Sequence, residues 1–296
     1  MRLGILCAVL LTACGPQIGS LHKGETGRVV RAHSGDTLEL DSGLRVFLAE
    51  IDAPRGEQPY AAQSEGELEA LALHRDVLLA YGGERRWHST PREGEAPREA
   101  AIAHVFVHSE GGRWFWLQHE LVARGAAFVR PRPDNRARTD QLLAIEAQAR
   151  AAERGLWGRR PYQSANVRSV TRAAVATHAA CMDRAAPYRL VEGPVHEVSV
   201  GDNRASLEME GAARTHPFAI VVFGDAFAHW NGPPLASLGG ANVRARGLIG
   251  VSQDEVQLCL EDGRALEVLP ATANRTDPPP SRRAPARASG PAASME

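Results

Sequence analysis

Two acidic turns bracket short strand-like runs near the start of this chain, and they restrict its fold more than any other feature. Ser34-Gly35-Asp36-Thr37 opens the run Thr37-Leu38-Glu39-Leu40, and Ile51-Asp52-Ala53-Pro54 closes the run that starts at Leu44. Leu38 and Leu40 alternate with Thr37 and Glu39, the period of a strand with one buried face. Ser42-Gly43 supplies the turn between the two runs. Both carboxylates fall at strand ends, where hairpins of a small barrel can bring them together. Two hard oxygen ligands on rigid strand ends suit a divalent cation such as calcium, and the cation in turn suits a phosphate.

The chain has 296 residues, enough for two ordinary domains. Its formal net charge of −1 provides no overall field to recruit nucleic acid. Residues 1–13 read as a targeting segment: Arg2, then an apolar stretch too short to span a bilayer. Leu11-Thr12-Ala13-Cys14 resembles the bacterial lipoprotein box, which implies cleavage before Cys14 and its lipidation. A plain secretory signal is the alternative. The expected location is the cell envelope, facing the periplasm. Gly15 carries no strong retention signal, which favours the outer membrane. Export allows Cys181 and Cys259 to form a disulfide, or they are two separate small apolar side chains.

Residues 14–24 read as a tether. Strand patterns at residues 26–30, 37–40 and 44–51 precede a helix at 61–73, where Leu68, Leu71 and Ala72 fall at helical spacing. A strand at 76–81, strand signals at 101–107 and 114–117, and two helices ending at Gly155 follow. These elements describe a domain over residues 25–160, mainly β with helices (α+β), an OB-like five-stranded barrel with packed helices. Residues 161–186 read as a linker with a helix around residues 167–182. Strand patterns at 188–193, 219–223, 243–248 and 255–260 predict a second, smaller OB-like β-barrel over residues 187–270. Residues 271–296, rich in Pro, Ala, Arg and Ser, cannot bury a core and read as disordered.

Asp36-Thr37 resembles the Gly-Asp-Thr turn of the staphylococcal nuclease (thermonuclease) family. Ile51-Asp52-Ala53-Pro54 resembles that family's Ile/Val-Asp-(Thr/Ala)-Pro-Glu motif. Ile102-Ala103-His104-Val105-Phe106, the stretch from Leu117 to Ala127, and the stretch from Leu143 to Trp157 resemble its later strand and helices in order. The region from Tyr188 onward resembles an OB-like extension found in some bacterial members. The resemblance implies calcium held by Asp36, Asp52 and the Ala53 carbonyl, two phosphate-clamping arginines, and a glutamate that positions the attacking water.

The working positions depart from that pattern. Phe47 stands where the resemblance places the first arginine, Arg55 where it places the glutamate, and Ala100 where it places the second arginine. Ser34 replaces a further carboxylate, so only weak calcium binding is expected. Arg45 and Arg98 lie two residues before Phe47 and Ala100, Glu57 lies two beyond Arg55, and Glu50 shares a strand face with Asp52, so these four could rebuild a site. The alternative for them is solvated surface charge. His104 and His108 share i,i+4 spacing, but on a strand. Trp114, Phe115 and Trp116 could stack on bases or, the favoured reading, fill the core.

The expectation is therefore an exported, lipid-anchored protein whose nuclease-like site is degenerate. It would bind or scaffold at the envelope, with nucleic acid or an envelope protein as partner. The rival is a calcium-dependent phosphodiesterase with a rearranged site. A third reading is a purely structural use of both barrels.

Overall fold

The computed structural model describes residues 15–88, 99–171, 179, 181, 186–209, 217–252 and 254–270. Cys14, Arg98 and the expected tail lie outside the described residues. The first unit runs through β1 (His22–Ser34), β2 (Thr37–Leu40), β3 (Arg45–Leu48), β4 (Ile51–Asp52), α1 (Ala61–Ala72) and β5 (Asp76–Tyr81). It continues through β6 (Arg86–His88), β7 (Glu99–His108), β8 (Trp114–Trp116), α2 (Leu117–Ala123), β9 (Phe128–Val129) and α3 (Thr139–Ala151). Strands β1, β2, β3, β7 and β5 pair in a closed ring, with β3 and β7 parallel and every other pair antiparallel. Leu38, Leu40, Val46, Leu48, Val77 and Leu79 point into this barrel and are fully or almost fully buried. Leu68 and Leu71 of α1 and Leu117 and Leu121 of α2 extend the same core.

The run expected as one strand over residues 44–51 is broken at Glu50, whose φ is 67°. Alternation stops there, and Ile51 and Asp52 leave the barrel to pair with β9 instead. The tether reading of residues 14–24 also needs correction. Leu21 is buried in the barrel core, β1 begins at His22, and the Arg138 guanidinium donates to the Ile18 carbonyl at 2.8 Å. A single apolar residue immediately before a polar strand gave no periodic signal of its own. Trp116 is buried, Trp114 and Phe115 are half-buried against the core, and Arg138 lies over the Trp116 ring at 4.7 Å.

The second unit contains β10 (Ala165–Asn166), β11 (Tyr188–Val200), β12 (Arg204–Met209), β13 (Phe218–Phe223), α4 (Gly224–Ala228), β14 (Asn242–Ser252), β15 (Glu255–Leu260) and β16 (Leu266–Val268). Its ring is β11, β12, β13, β15, β14 and back to β11, and β13 and β15 are the parallel pair. Both rings thus have one connectivity, in which the third strand pairs with the fifth. Val191, Leu207, Ile220 and Leu258 fill the second core. The helix expected around residues 167–182 is a single 3-10 turn at Val167–Ser169 where described, and residues 172–178, 180 and 182–185 fall outside the described set. The segment before that turn contributes β10, parallel to β11.

The barrels meet across a third apolar cluster that includes Phe128, Leu156, Trp157, Tyr162, Tyr188 and Leu248. Phe128 and Tyr188 stack with ring centres 4.6 Å apart. At the same boundary Glu146 of α3, unexposed, meets Arg246 of β14, which is 1% exposed. Cys181 and Cys259 are joined by a disulfide with Cα atoms 5.4 Å apart, inside the range such a bond spans.

Candidate functional site

Asp36 sits in the turn between β1 and β2, and Asp52 at the end of β4. Gly35 permits this turn: a Cβ there would lie 1.8 Å from Ser64 Oγ and 3.0 Å from Ala53 Cβ. Asp36 is 2% exposed and accepts hydrogen bonds from Ser34 Oγ (2.7 Å), Thr37 Oγ1 (2.9 Å) and the Ala53 N–H (2.8 Å). The turns therefore do bring the two carboxylates together. Between them lies an arginine: Arg55 Nη2 is 2.6 Å from Asp36 Oδ2 and 3.0 Å from Asp52 Oδ1. The other oxygen of Asp52 accepts from Arg130 Nη1 at 2.8 Å. Arg130 turns its remaining fork to Glu261, just past β15 of the second barrel, with bonds of 2.8 and 3.0 Å. The result is an alternating ladder, Asp36–Arg55–Asp52–Arg130–Glu261, that crosses from one barrel to the other.

Burial and the neighbouring Asp52 charge push the Asp36 carboxyl up, to about 6. Asp52 is drawn the other way. Burial opposes its charge, but Arg55, the contact with Asp36, and Arg130 together hold it down at about 2. Glu261 is likewise held below the usual carboxylate range, by Arg130 against the opposing effect of burial. A calcium ion takes six to eight oxygens. Here a dication would have to displace the Arg55 guanidinium and would find two carboxylates, one of them already accepting from Ser34, Thr37 and the Ala53 N–H. Among the described residues no three His, Cys, Asp or Glu side chains group to hold a metal ion. This donor set does not fit calcium.

These interactions fix the sign of a titration. Arg55 lowers the Asp36 value, so Arg55→Gln should move it upward from about 6, as read by carbon NMR of the side-chain carboxyl. A raised carboxyl contributes stability fully below its unfolded value of 3.8 and loses it as pH rises through about 6. In the Arg55→Gln protein that loss should extend to higher pH. An unchanged Asp36 titration would mean that Arg55 does not set the charge of the pair.

The altered positions lie around this ladder. Phe47 faces Trp87 edge-on, ring centres 5.5 Å apart, and both line a cavity of about 240 Å³ with Asp36, Asp52, Arg55, Arg130 and Arg132. Ala100 is 1% exposed and lies opposite Trp87 on the paired strand β6. Arg45 is half-buried, in register with Ala100 on one side and Glu39 on the other. Glu57 is exposed. Glu50 is 2% exposed, and its carboxylate accepts from Thr139 Oγ1 at 2.7 Å and the Arg138 N–H at 3.0 Å, and meets His104 Nε2 at 3.1 Å. The strand face expected to join Glu50 to Asp52 does not exist, because Glu50 has a positive φ between β3 and β4, and Asp52 pairs with β9 instead. Glu50 caps the start of α3. The Ala53 N–H, rather than its carbonyl, is the group seen at the pair.

Three residues of the site have no counterpart in the sequence reading: Arg130, Arg132 and Glu261. Arg130-Pro-Arg132-Pro offered a local signal, since alternate arginines in a proline-braced segment share a face. Glu261 offered none, being 131 positions from its partner.

Residues 45–159 match the family model described as staphylococcal nuclease homologue. They form a staphylococcal nuclease-like domain, and the family resemblance read from the motifs stands. The chain is 29% identical over 135 residues to an uncharacterized endonuclease of Escherichia coli O157:H7, covering 44% of this chain and 76% of that protein. It is 33% identical over 90 residues to an uncharacterized endonuclease of Haemophilus influenzae, covering 29% and 47%. It is 25% identical over 142 residues to Protein ParB of Escherichia coli, covering 44% and 71%.

Proposed function

We propose that this protein is an exported, lipid-anchored member of its family that binds at the cell envelope and does not hydrolyse nucleic acid. The observation that carries this reading is the Arg55 guanidinium seated against both Asp36 and Asp52, the place a metal ion would need. Arg55 cannot act as a base at neutral pH, Phe47 donates no hydrogen bond, and Ala100 reaches no phosphate. The internal cation neutralises the carboxylates without polarising a substrate. Mature protein incubated with calcium and DNA or RNA should give no cleavage above background. Cleavage abolished by Asp52→Ala would overturn the reading.

That outcome would favour the second reading, a calcium-dependent phosphodiesterase with a rearranged site. The two relatives named as endonucleases speak for it. So does Arg132, which lines the 240 Å³ cavity and makes no ion pair among the described residues. Arg132 would then serve as a phosphate clamp in place of the groups lost at Phe47 and Ala100.

The anchoring rests on Leu11-Thr12-Ala13-Cys14. Mass spectrometry of protein from a bacterial host should find a mature N-terminus at Cys14 carrying acyl chains. An unmodified mature protein beginning elsewhere would refute this part of the proposal and leave the site unaffected.

A further inference from the structure

A second concave surface lies beside the carboxylate pair and shares Asp52 and Arg55 with the Phe47–Trp87 cavity. It is a cleft of about 700 Å³ between the barrels, within the size range of small-molecule sites. Its apolar lining comprises proline and aromatic side chains, Pro59, Pro161, Tyr162, Pro187 and Phe128, with Leu248. The polar groups on these walls are mostly used internally. Tyr162 donates to the Pro59 carbonyl at 2.7 Å, and Tyr188 donates to the Val129 carbonyl at 3.2 Å.

Arg189 differs. It is the second residue of β11, half-buried, and lines this cleft. Among the described residues its guanidinium donates from Nη1 to the Tyr188 carbonyl at 3.1 Å and makes no ion pair. Burial holds it below the usual arginine value with no carboxylate to offset that cost. Arg55 reaches the same cleft while spending one nitrogen on the two aspartates. Arg159 and Arg160, exposed and without ion pairs among the described residues, directly precede Pro161 on the rim. The one acid on the wall, Asp52, is neutralised by Arg55 and Arg130. Arg189, Arg159 and Arg160 thus bring to the cleft positive charge that has no ion pair among the described residues.

A half-buried, uncompensated guanidinium beside proline and tyrosine walls calls for a ligand with a compact anion and a flat apolar body. Planar forks match phosphate oxygens, and bases accept flat apolar neighbours. We propose that the interbarrel cleft binds a nucleoside phosphate, with the phosphate on Arg189 and Arg55 and the base against Tyr162 and the prolines. This extends the binding role given above by naming its ligand class. It does not depend on whether the carboxylate pair hydrolyses anything. The same chemistry is offered by a free nucleotide and by the terminal nucleotide of a single strand.

The test is calorimetric titration of the mature chain, in EDTA, with AMP, adenosine, inorganic phosphate and a 5′-phosphorylated hexadeoxynucleotide. AMP should bind, with adenosine and phosphate each at least about tenfold weaker, because each supplies half of the recognition. Arg189→Gln should weaken AMP about tenfold or more, and Arg189→Lys should weaken it less, since it keeps the charge and loses the fork. A hexanucleotide tighter than AMP assigns the site to strand ends, and the reverse assigns it to free nucleotides. Photocrosslinking of wild-type protein with azido-AMP needs no substitution and should label peptides containing residues 58–60, 161–162 or 186–189. No AMP binding at millimolar concentration, phosphate as tight as AMP, or labelling confined to other peptides would overturn the proposal. AMP contains no phosphodiester linkage and calcium is absent, so cleavage seen in the separate nuclease assay would reject the non-hydrolytic reading and leave this one intact.

Discussion

Phe47→Arg combined with Arg55→Glu should convert a protein without calcium-dependent cleavage into one that cleaves DNA at least about 100-fold above its own background. The size follows from the groups restored: a positioned acid/base group is worth roughly 10²–10⁴ in rate, and a charge-stabilising donor roughly 10²–10³. They act as a unit, so the effects do not multiply. Arg55→Glu removes the guanidinium wedged between Asp36 and Asp52 and supplies a third carboxylate, so calcium affinity should rise in the same variant. Phe47→Arg opens into the cavity that Phe47 already lines, at the cost of its edge contact with Trp87. Adding Ala100→Arg should help less and could unfold the strand pair, because Ala100 is 1% exposed beneath β6. Arg130 would still hold Asp52, so release of that contact through Arg130→Gln should alter the recovered rate. Calcium titration and a DNA cleavage assay on the four proteins decide the matter. A double variant that binds calcium tightly yet cleaves nothing would show that geometry, rather than residue identity, is what the site lacks.

Glu146→Ala should be the most destabilising single substitution considered, with a loss of about 3–5 kcal/mol, the usual cost of breaking a buried ion pair from one side. Glu146 is unexposed and takes the Val129 N–H at 2.6 Å through one oxygen while the other faces Arg246. Arg246 also bonds Glu267 at 2.9 Å, and Arg150 lies 3.4 Å from Glu146. Without Glu146, two arginines and an orphaned N–H share a dry boundary with a single half-buried carboxylate. Glu146→Gln keeps the N–H bond and should cost less. Removing both partners, as Glu146→Leu with Arg246→Met, should recover much of the loss, because no charge is then stranded. Urea unfolding of the four proteins reads this directly. A Glu146→Ala cost under about 1 kcal/mol would mean that water reaches the boundary.

Much of the barrel was legible because its rules are local. Thr37–Leu40 announced itself by alternation, Asp76–Tyr81 by an apolar run stopped at two glycines, and α1 by Leu68, Leu71 and Ala72 at helical spacing. The turns carrying Asp36 and Asp52 were legible for the same reason. What surrounds those carboxylates was not. Arg55 stands three residues from Asp52, but its reach back to Asp36 depends on a turn whose course no periodicity encodes. Arg130 and Glu261 meet only because the two barrels dock, and docking leaves no mark on local patterning. Glu50 misled in a specific way. Strand alternation put it on the face of Asp52, and one left-handed residue sent its carboxylate to Thr139 and His104. A non-glycine residue with positive φ is uncommon, and a sequence gives no warning of it.

The shared ring connectivity has a consequence for the order in which this chain can be made. In each barrel the third strand must wait for the fifth, so β3 stays unpaired on one side until β7 exists, and β13 until β15 exists. Pairings between distant segments slow folding, and exposed strand edges invite association meanwhile. The first barrel can close long before the second, yet Phe128, Leu156 and Trp157 remain uncovered until Tyr188 and Leu248 arrive. For that interval the nascent chain presents an apolar face beside Arg130 with Glu261 still to come. A half-made molecule of this kind is the species a folding helper would recognise, and stalling anywhere between Trp157 and Leu248 should prolong its lifetime.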